Sequence, residues 1–293
     1  MKGIREIKHR IKAVKNTAQI TRAMQLVAAS KMKRAQEAAI AKRPYALLLA
    51  EILGSLVSRV ESAPSPLMEK RSVKTRGILV MGTDKGLCGG LNTNLFRSLH
   101  DLDGDIKFVT IGKRASQFVS RTGRDLVADF TVSDHVSFSE VRLAAEYMIQ
   151  AYLKGTIDTV EVLFTRFINT LRQEPCLEPL LPLQDMDHTL QALRARLGVT
   201  EVVDDSRDML FEPSVDALLE QLPALFVKEE IYEMMLEAKA SEHSARMVAM
   251  KSATDNANNL VADLTLEYNK ARQAGITQEI LEIAAATANQ SAA

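Results

Sequence analysis

ITRAMQLVAASKMKRAQ, residues 20–36, is the stretch on which the fold turns. Wound at 3.6 residues per turn, Met24, Leu26, Val27, Ala28, Ala29 and Met32 point in nearly every direction, and Lys31, Lys33 and Arg34 crowd the turn that follows. A helix that is apolar all round is normally buried all round, so this segment needs neighbours on several sides. Extended in both directions it becomes a seam with alternating steps of three and four: Ile4, Ile7, Ile11, Val14, Ala18, Thr21, Gln25, Ala28, Met32, Ala35. Such a repeat predicts a coiled-coil helix, aliphatic at first and then small.

A partner for it is predicted at the other end of the chain. After Glu212-Pro213-Ser214 the helical pattern runs through Leu218, Leu222, Leu225, Ile231, Met234, Ala238, Ala245 and Val248, then Met250, Ala253, Ala257, Leu260 and Leu264. Proline suits a first turn, and a helix from 213 to 288 would be roughly 110 Å long at the α-helical rise. Charge favours the same pairing. The 293 residues carry no net charge, yet residues 1–43 hold +10 and residues 213–293 hold −6. If a helix over 3–58 pairs antiparallel with one starting at 213, residue 3 lies opposite 268. The segment ARQAGITQEILEIAAATAN then projects alone for about 30 Å, and its Ile276, Ile280, Leu281 and Ile283 require a socket on another protein. Pro44 is expected to kink the first helix.

Between the helices the pattern changes. The apolar runs at 78–81, 106–111 and 126–130 read as buried parallel strands, separated by helical spacing at 90–100, 113–121 and 139–154. TIDTVEVLFTRFIN reads as a further strand, and EPCLEPLLPL, with three prolines, as an edge strand. The expected fold is therefore α/β plus a long antiparallel α-helical coiled coil. A Rossmann-like domain over 73–212 is inserted between a helix over 1–58 and one over 213–293 that ends in a single-helix tip.

Composition excludes several functions. With 46% apolar and 25% charged residues the chain has the profile of a soluble globular protein, and no apolar run nears the roughly 18 residues that span a bilayer. No signal-peptide pattern opens it. Cys88 and Cys176 lack zinc or disulfide spacing, and the five histidines lack metal spacing. The glycine-rich GTDKGLCGGLNTN after the first strand is where a phosphate could sit, but Gly82, Gly86, Gly89 and Gly90 match neither GxGxxG nor GxxxxGK[ST]. It reads as a tight turn presenting Asp84 and Lys85 to a protein partner. GxSxG and HExxH are absent. No catalytic residue, cofactor site or metal site is expected. The basic N-terminal segment could be a nucleic-acid arm, but with 5% aromatic residues and no Trp, stacking platforms are scarce, so no nucleic acid is expected.

ITRAMQLVAASKMKRAQ, GTDKGLCGGLNTNLF, EHSARMVAMKSATDNANNL and YNKARQAGITQEILEI together resemble the gamma subunits of F-type ATP synthases, in the right order across essentially the whole chain. Where the family's last motif usually runs from ITxE to Gly-Ala, this chain has Ala286-Thr287, and the cysteine-bearing insert of the redox-regulated plant form is missing. The resemblance implies a central-stalk rotor: one copy in a hexameric collar of three alpha and three beta subunits, with a small epsilon subunit and a membrane c-ring at its foot. It implies a peripheral protein on the cytoplasmic side of the bacterial inner membrane that couples ion flow to ATP synthesis or hydrolysis on its partners. Partner contacts implied are Met24 and Arg246 near the collar's acidic lever loops, Arg272 with Gln273 as a polar catch, and Lys31.

Overall fold

The computed structural model describes residues 3–57, 65–183, 190–191, 194, 211–212 and 214–290, with side chains in the last helix described to residue 284. Helix α1 (Ile4–Val57) is followed by β1 (Thr75–Met81), α2 (Leu91–Arg97), β2 (Asp105–Ile111), α3 (Lys113–Arg121), β3 (Asp125–Phe130), α4 (Phe138–Leu153), β4 (Thr159–Phe167), β5 (Gln173–Leu181) and α5 (Val215–Gln290). The result is a mixed α/β sheet with a long helix at each terminus. α1 continues as one helix through Pro44, and α5 through Pro223. The stretch 184–212, which carries no distinctive motif, lies mostly outside the described residues.

The strands order as β3-β2-β1-β4-β5, parallel except for β5, which runs antiparallel to β4. Alternation sorts the side chains of the two central strands onto opposite faces. Ile78, Val80 and Leu163 meet Leu95 of α2 and Ala115 and Val119 of α3. On the other face, Leu79, Met81, Val160, Val162 and Phe164 pack with Val141, Ala145 and Met148 of α4. That second layer is completed by Leu49, Leu53 and Leu56 of α1 and by Leu219, Phe226, Ile231 and Met234 of α5. The terminal helices are thus part of the sheet's own core, and the chain divides into compact units over 29–246 and over 1–28 with 247–293. This division differs from boundaries at 58, 73 and 213, because the apolar faces of both helices continue into the sheet layer.

One strand expectation changes and one holds. β3 is an edge strand with alternately exposed and half-buried residues, so the run 126–130 is not a buried strand. β5 is the opposite edge, where Pro175 and Pro179 are tolerated because edge strands leave one side of the ladder free.

In the unit of residues 1–28 and 247–293, Ile7, Ala18 and Ala28 are buried and Ile11, Val14, Thr21 and Gln25 half-buried, while most intervening positions are exposed. The partner seam steps by four and three through Met250, Thr254, Ala257, Val261, Leu264, Tyr268, Ala271 and Gly275. Val261, and not Leu260, is the seam residue. The pairing is antiparallel: Thr21 Oγ1 and Thr254 Oγ1 are 2.7 Å apart, and Ile4 Cδ1 lies 3.6 Å from where a Cβ on Gly275 would stand. The register is therefore shifted outward from a 3-to-268 pairing by about one turn at Thr21 and about two at Ile4. Cover ends at Gly275, beyond which every described side chain is exposed.

This register makes a direct prediction. Thr21→Cys with Thr254→Cys should give an intrachain disulfide under mild oxidation, since a bond needs Cα atoms within roughly 7 Å. Ile11→Cys with Leu260→Cys should give little, because Leu260 is off the seam. The reverse ranking on non-reducing gels would refute the register.

Candidate functional site

Open α/β sheets bind ligands outside the carboxyl ends of their strands, where neighbouring crossovers diverge. Here that crevice lies between β1 and β4, which are adjacent in the sheet. The turn after β1 is closed upon itself. Thr83 Oγ1 donates to the Lys85 carbonyl at 2.8 Å and accepts from Asn92 Nδ2 at 2.8 Å, and the Thr83 carbonyl accepts from Arg114 N at 2.9 Å. Asp84 Oδ1 accepts from Lys113 N at 3.0 Å, capping the first turn of α3, whose own preceding residue is Gly112. A Cβ on Gly82 would stand 2.8 Å from that of Ala115, so only glycine lets the turn lie this close to α3. Leu87, at φ 61° and 62% exposed, forms the tip.

α5 crosses the mouth of the crevice. Arg246 Nη2 donates to the carbonyls of Lys85 and Gly86, each at 3.3 Å, and pairs with Glu242 Oε1 at 2.8 Å. Ser241 Oγ donates to the Thr165 carbonyl near the end of β4 at 2.9 Å, and Ser244 Oγ to the Thr170 carbonyl just beyond it at 2.9 Å. Lys239 Nζ shares Glu242, at 3.2 Å from its other oxygen. The crevice that could have held a nucleotide is thus occupied by the chain's own helix, with a guanidinium and two hydroxyls meeting the free carbonyls.

His243 sits within this layer, 2% exposed. Arg246 Nη1 is 3.4 Å from its Nδ1 and can only donate, so Nδ1 accepts and Nε2 carries the hydrogen. Burial, with Arg246 and Lys239 adding to it and Glu242 opposing, pushes its pKa down to about 4. Burial also pushes the Cys88 thiol up, despite the nearby Arg246, so Cys88 is no ready thiolate.

The structure brings only some of the expected contact residues together. Asp84, Lys85 and Arg246 form one cluster, in which Asp84 is spent on α3 and the Lys85 carbonyl on Arg246. Lys31 pairs with Asp134 at 2.5 Å, which holds that carboxyl below its usual range. In the other unit Met24 is half-buried, and Arg272 and Gln273 are exposed on α5. Asp134, Lys239, Glu242 and His243 were not legible as a site. The available signal was the spacing of Lys239, Glu242 and Arg246, which stacks two cations around one carboxylate on a helix.

Comparison with known proteins decides the family. The ATP synthase family model matches residues 3–289. The ATP synthase gamma chain of Opitutus terrae is 53% identical over 98% of both chains, and that of Methylacidiphilum infernorum 42% over 98% of both. The chain belongs to the ATP synthase gamma chain family. Its fold is shared with a chain of the Euglena gracilis mitochondrial ATP synthase, in a structure of OSCP, F1 and c-ring, at TM-score 0.69 and 19% identity over 99% of this chain and 95% of that one. A chain of the Tetrahymena thermophila central stalk and c-ring matches at TM-score 0.59 and 23% identity, over 80% of this chain and 99% of that one. In this gamma chain no described helix is long and apolar enough to cross a membrane.

His243 makes the chain's stability depend on pH. Its folded pKa is lowered from 6.5, so its contribution is complete above pH 6.5 and lost as pH falls through about 4, to a total on the order of 3 kcal/mol. Carboxylates with lowered pKa, such as Asp134 and Glu140, lose their contribution only at lower pH, below about 4.5. Urea denaturation should therefore show stability declining between pH 6.5 and 5, and His243→Gln should flatten that decline. An unchanged slope in the variant would mean His243 is not buried neutral.

Proposed function

We propose that this gamma chain is the central-stalk rotor of an F-type ATP synthase, coupling ion flow through a membrane ring to ATP synthesis or hydrolysis on other subunits. The observation that carries this reading is the bare end of α5. In a family of ATP synthase gamma chains, Ile276, Ile280, Leu281 and Ile283 stand 48–65% exposed beyond the last covered seam residue, Gly275. Apolar side chains spaced along a helix and exposed among the described residues call for a sleeve supplied by another protein. Ile20, Leu26 and Val27, 54–60% exposed on α1, make the same demand and explain why the segment 20–36 is apolar on every side.

The proposed partners are a hexamer of three alpha and three beta subunits around the helices, a small epsilon subunit, and a membrane c-ring at the α/β part. One copy of this chain serves each complex, and nucleic acid has no part. In this reading residues 1–58 and 213–293 act as a coiled-coil shaft ending in a single-helix tip, with 73–212 as its foot. The protein is peripheral, on the cytoplasmic side of the bacterial inner membrane. It has no catalytic residue of its own. A single shaft cannot obey the threefold symmetry of its collar, so each catalytic subunit meets a different face and is biased to a different conformation. Rotation exchanges those biases in turn.

Met24, Arg272 and Gln273 are the proposed collar contacts on the helices, with Lys31 and Lys85 as exposed cations nearer the sheet. Arg246 and Asp84 act more indirectly. Both are committed to the turn 83–91, so their part is to hold Lys85 and Leu87 in place for a partner.

Reconstitution with alpha and beta subunits tests this. The pure chain should hydrolyse no ATP, and the complex should contain one copy per three alpha and three beta. Arg272→Ala should weaken coupling only partly, because an exposed charge pair is worth about 0–1 kcal/mol. Met24→Lys should do more harm, keeping hydrolysis but impairing ATP-driven ion transport, since it sets an ammonium in a close contact. Loss of hydrolysis by orders of magnitude in an intact Arg272→Ala complex would contradict the reading.

A further inference from the structure

Within the unit of residues 29–246, α1, the loop before α4, and α5 line a half-open cavity of about 270 Å³ that the rotor reading does not use. Lys31 and Arg34 stand on its α1 side and Lys239 on its α5 side, with Asp134 as the one carboxylate in the lining. The side chain of Lys239 is only 3% exposed, so its ammonium has lost nearly all its water. Its anionic partner Glu242 is shared with Arg246, itself 12% exposed, which sets two largely buried cations on one carboxylate. His243 beside them is neutral at pH 7 and adds nothing to the balance. Asp134 is taken by Lys31, in a pair whose two side chains are 37% and 43% exposed and which is therefore weak and readily rearranged. Arg34 makes no hydrogen bond or ion pair among the described residues. Three cations, Lys31, Arg34 and Lys239, line the cavity against the single carboxylate of Asp134. A cavity whose lining is predominantly cationic, with one of the ammonium groups stripped of water, favours an anion that enters it.

We propose that this cavity binds a small tetrahedral oxyanion of the inorganic phosphate class. The guanidinium of Arg34 offers the planar fork that suits two phosphate oxygens, and the ammonium of Lys239, with donors to spare beyond its one bond to Glu242, meets a third. Lys31 can turn from Asp134 to the ligand without leaving water. The remaining wall is mixed, with Ala35, Ala38, Val136 and Leu236 beside the polar His135, Ser137 and Tyr232.

Isothermal titration calorimetry of the full chain with inorganic phosphate, at constant ionic strength in chloride buffer, tests the site. One saturable phosphate per chain is expected. Arg34→Gln, on an exposed side chain that folding does not need, should weaken binding about tenfold or more, and Lys31→Gln should weaken it less. Arg121→Gln, outside the cavity lining, should leave it unchanged. Absence of saturable heat, or an equal loss in Arg34→Gln and Arg121→Gln, overturns the proposal. If the Arg34→Gln chain unfolds instead, as circular dichroism would reveal, phosphate protection of Lys31 against amine acetylation in the unaltered chain decides. Protection of Lys31 over Lys70 supports the site, and equal labelling with and without phosphate overturns it.

Discussion

The interaction on which the sheet domain depends is the seating of α5 across the carboxyl ends of β1 and β4. Arg246 takes the carbonyls of Lys85 and Gly86, and Ser241 and Ser244 take those of Thr165 and Thr170. Backbone carbonyls at strand ends need partners when they are covered, and here a helix meets them with side chains. A few turns earlier the same helix lays Phe226, Ile231 and Met234 on the apolar face of the sheet. One element therefore supplies both a large part of the core and the polar closure of the crevice.

That arrangement explains the composition of residues 238–246. Ala238, Ala240, Ser241 and Ser244 are small, which lets a helix come close to strand ends without voids or clashes. The charges among them are retained only because they are shared: Lys239 and Arg246 flank Glu242, and His243 is held neutral. Removing Glu242 would leave two largely buried cations facing each other, a greater cost than losing either cation alone. Lys42 repeats the pattern further along the unit. Its ammonium lies 5.3 Å from the ring centres of Tyr45 and Tyr232 and 5.7 Å from that of Phe138, with Glu229 at 3.5 Å.

The sequence made the elements legible where a single period ran without conflict. The three-four seam from Ile7 to Ala28, the apolar runs of β1 and β2, and the proline-marked edge strand β5 could all be read directly. Register was harder. Met250, Ala253, Ala257 and Leu260 fit a helical face as well as Met250, Thr254, Ala257 and Val261 do, and only the meeting of Thr21 with Thr254 selects the second set. Burial of β3 was misread because an apolar composition does not tell an edge strand from a central one. The polar crossing at 239–246 showed only the spacing of Lys239, Glu242 and Arg246: its partners across the sheet are backbone carbonyls, which leave no trace in sequence, and Asp134 is more than a hundred residues from Lys31.

If α5 is structurally part of the sheet domain, the two should open together. Native-state hydrogen exchange on the full chain measures this directly. The amides of β1, β4 and residues 227–244 of α5 should exchange with one common opening free energy, as a single cooperative unit. Exchange of residues 227–244 at a much lower opening free energy, while β1 and β4 stay protected, would show that the sheet stands without the helix and would contradict the account.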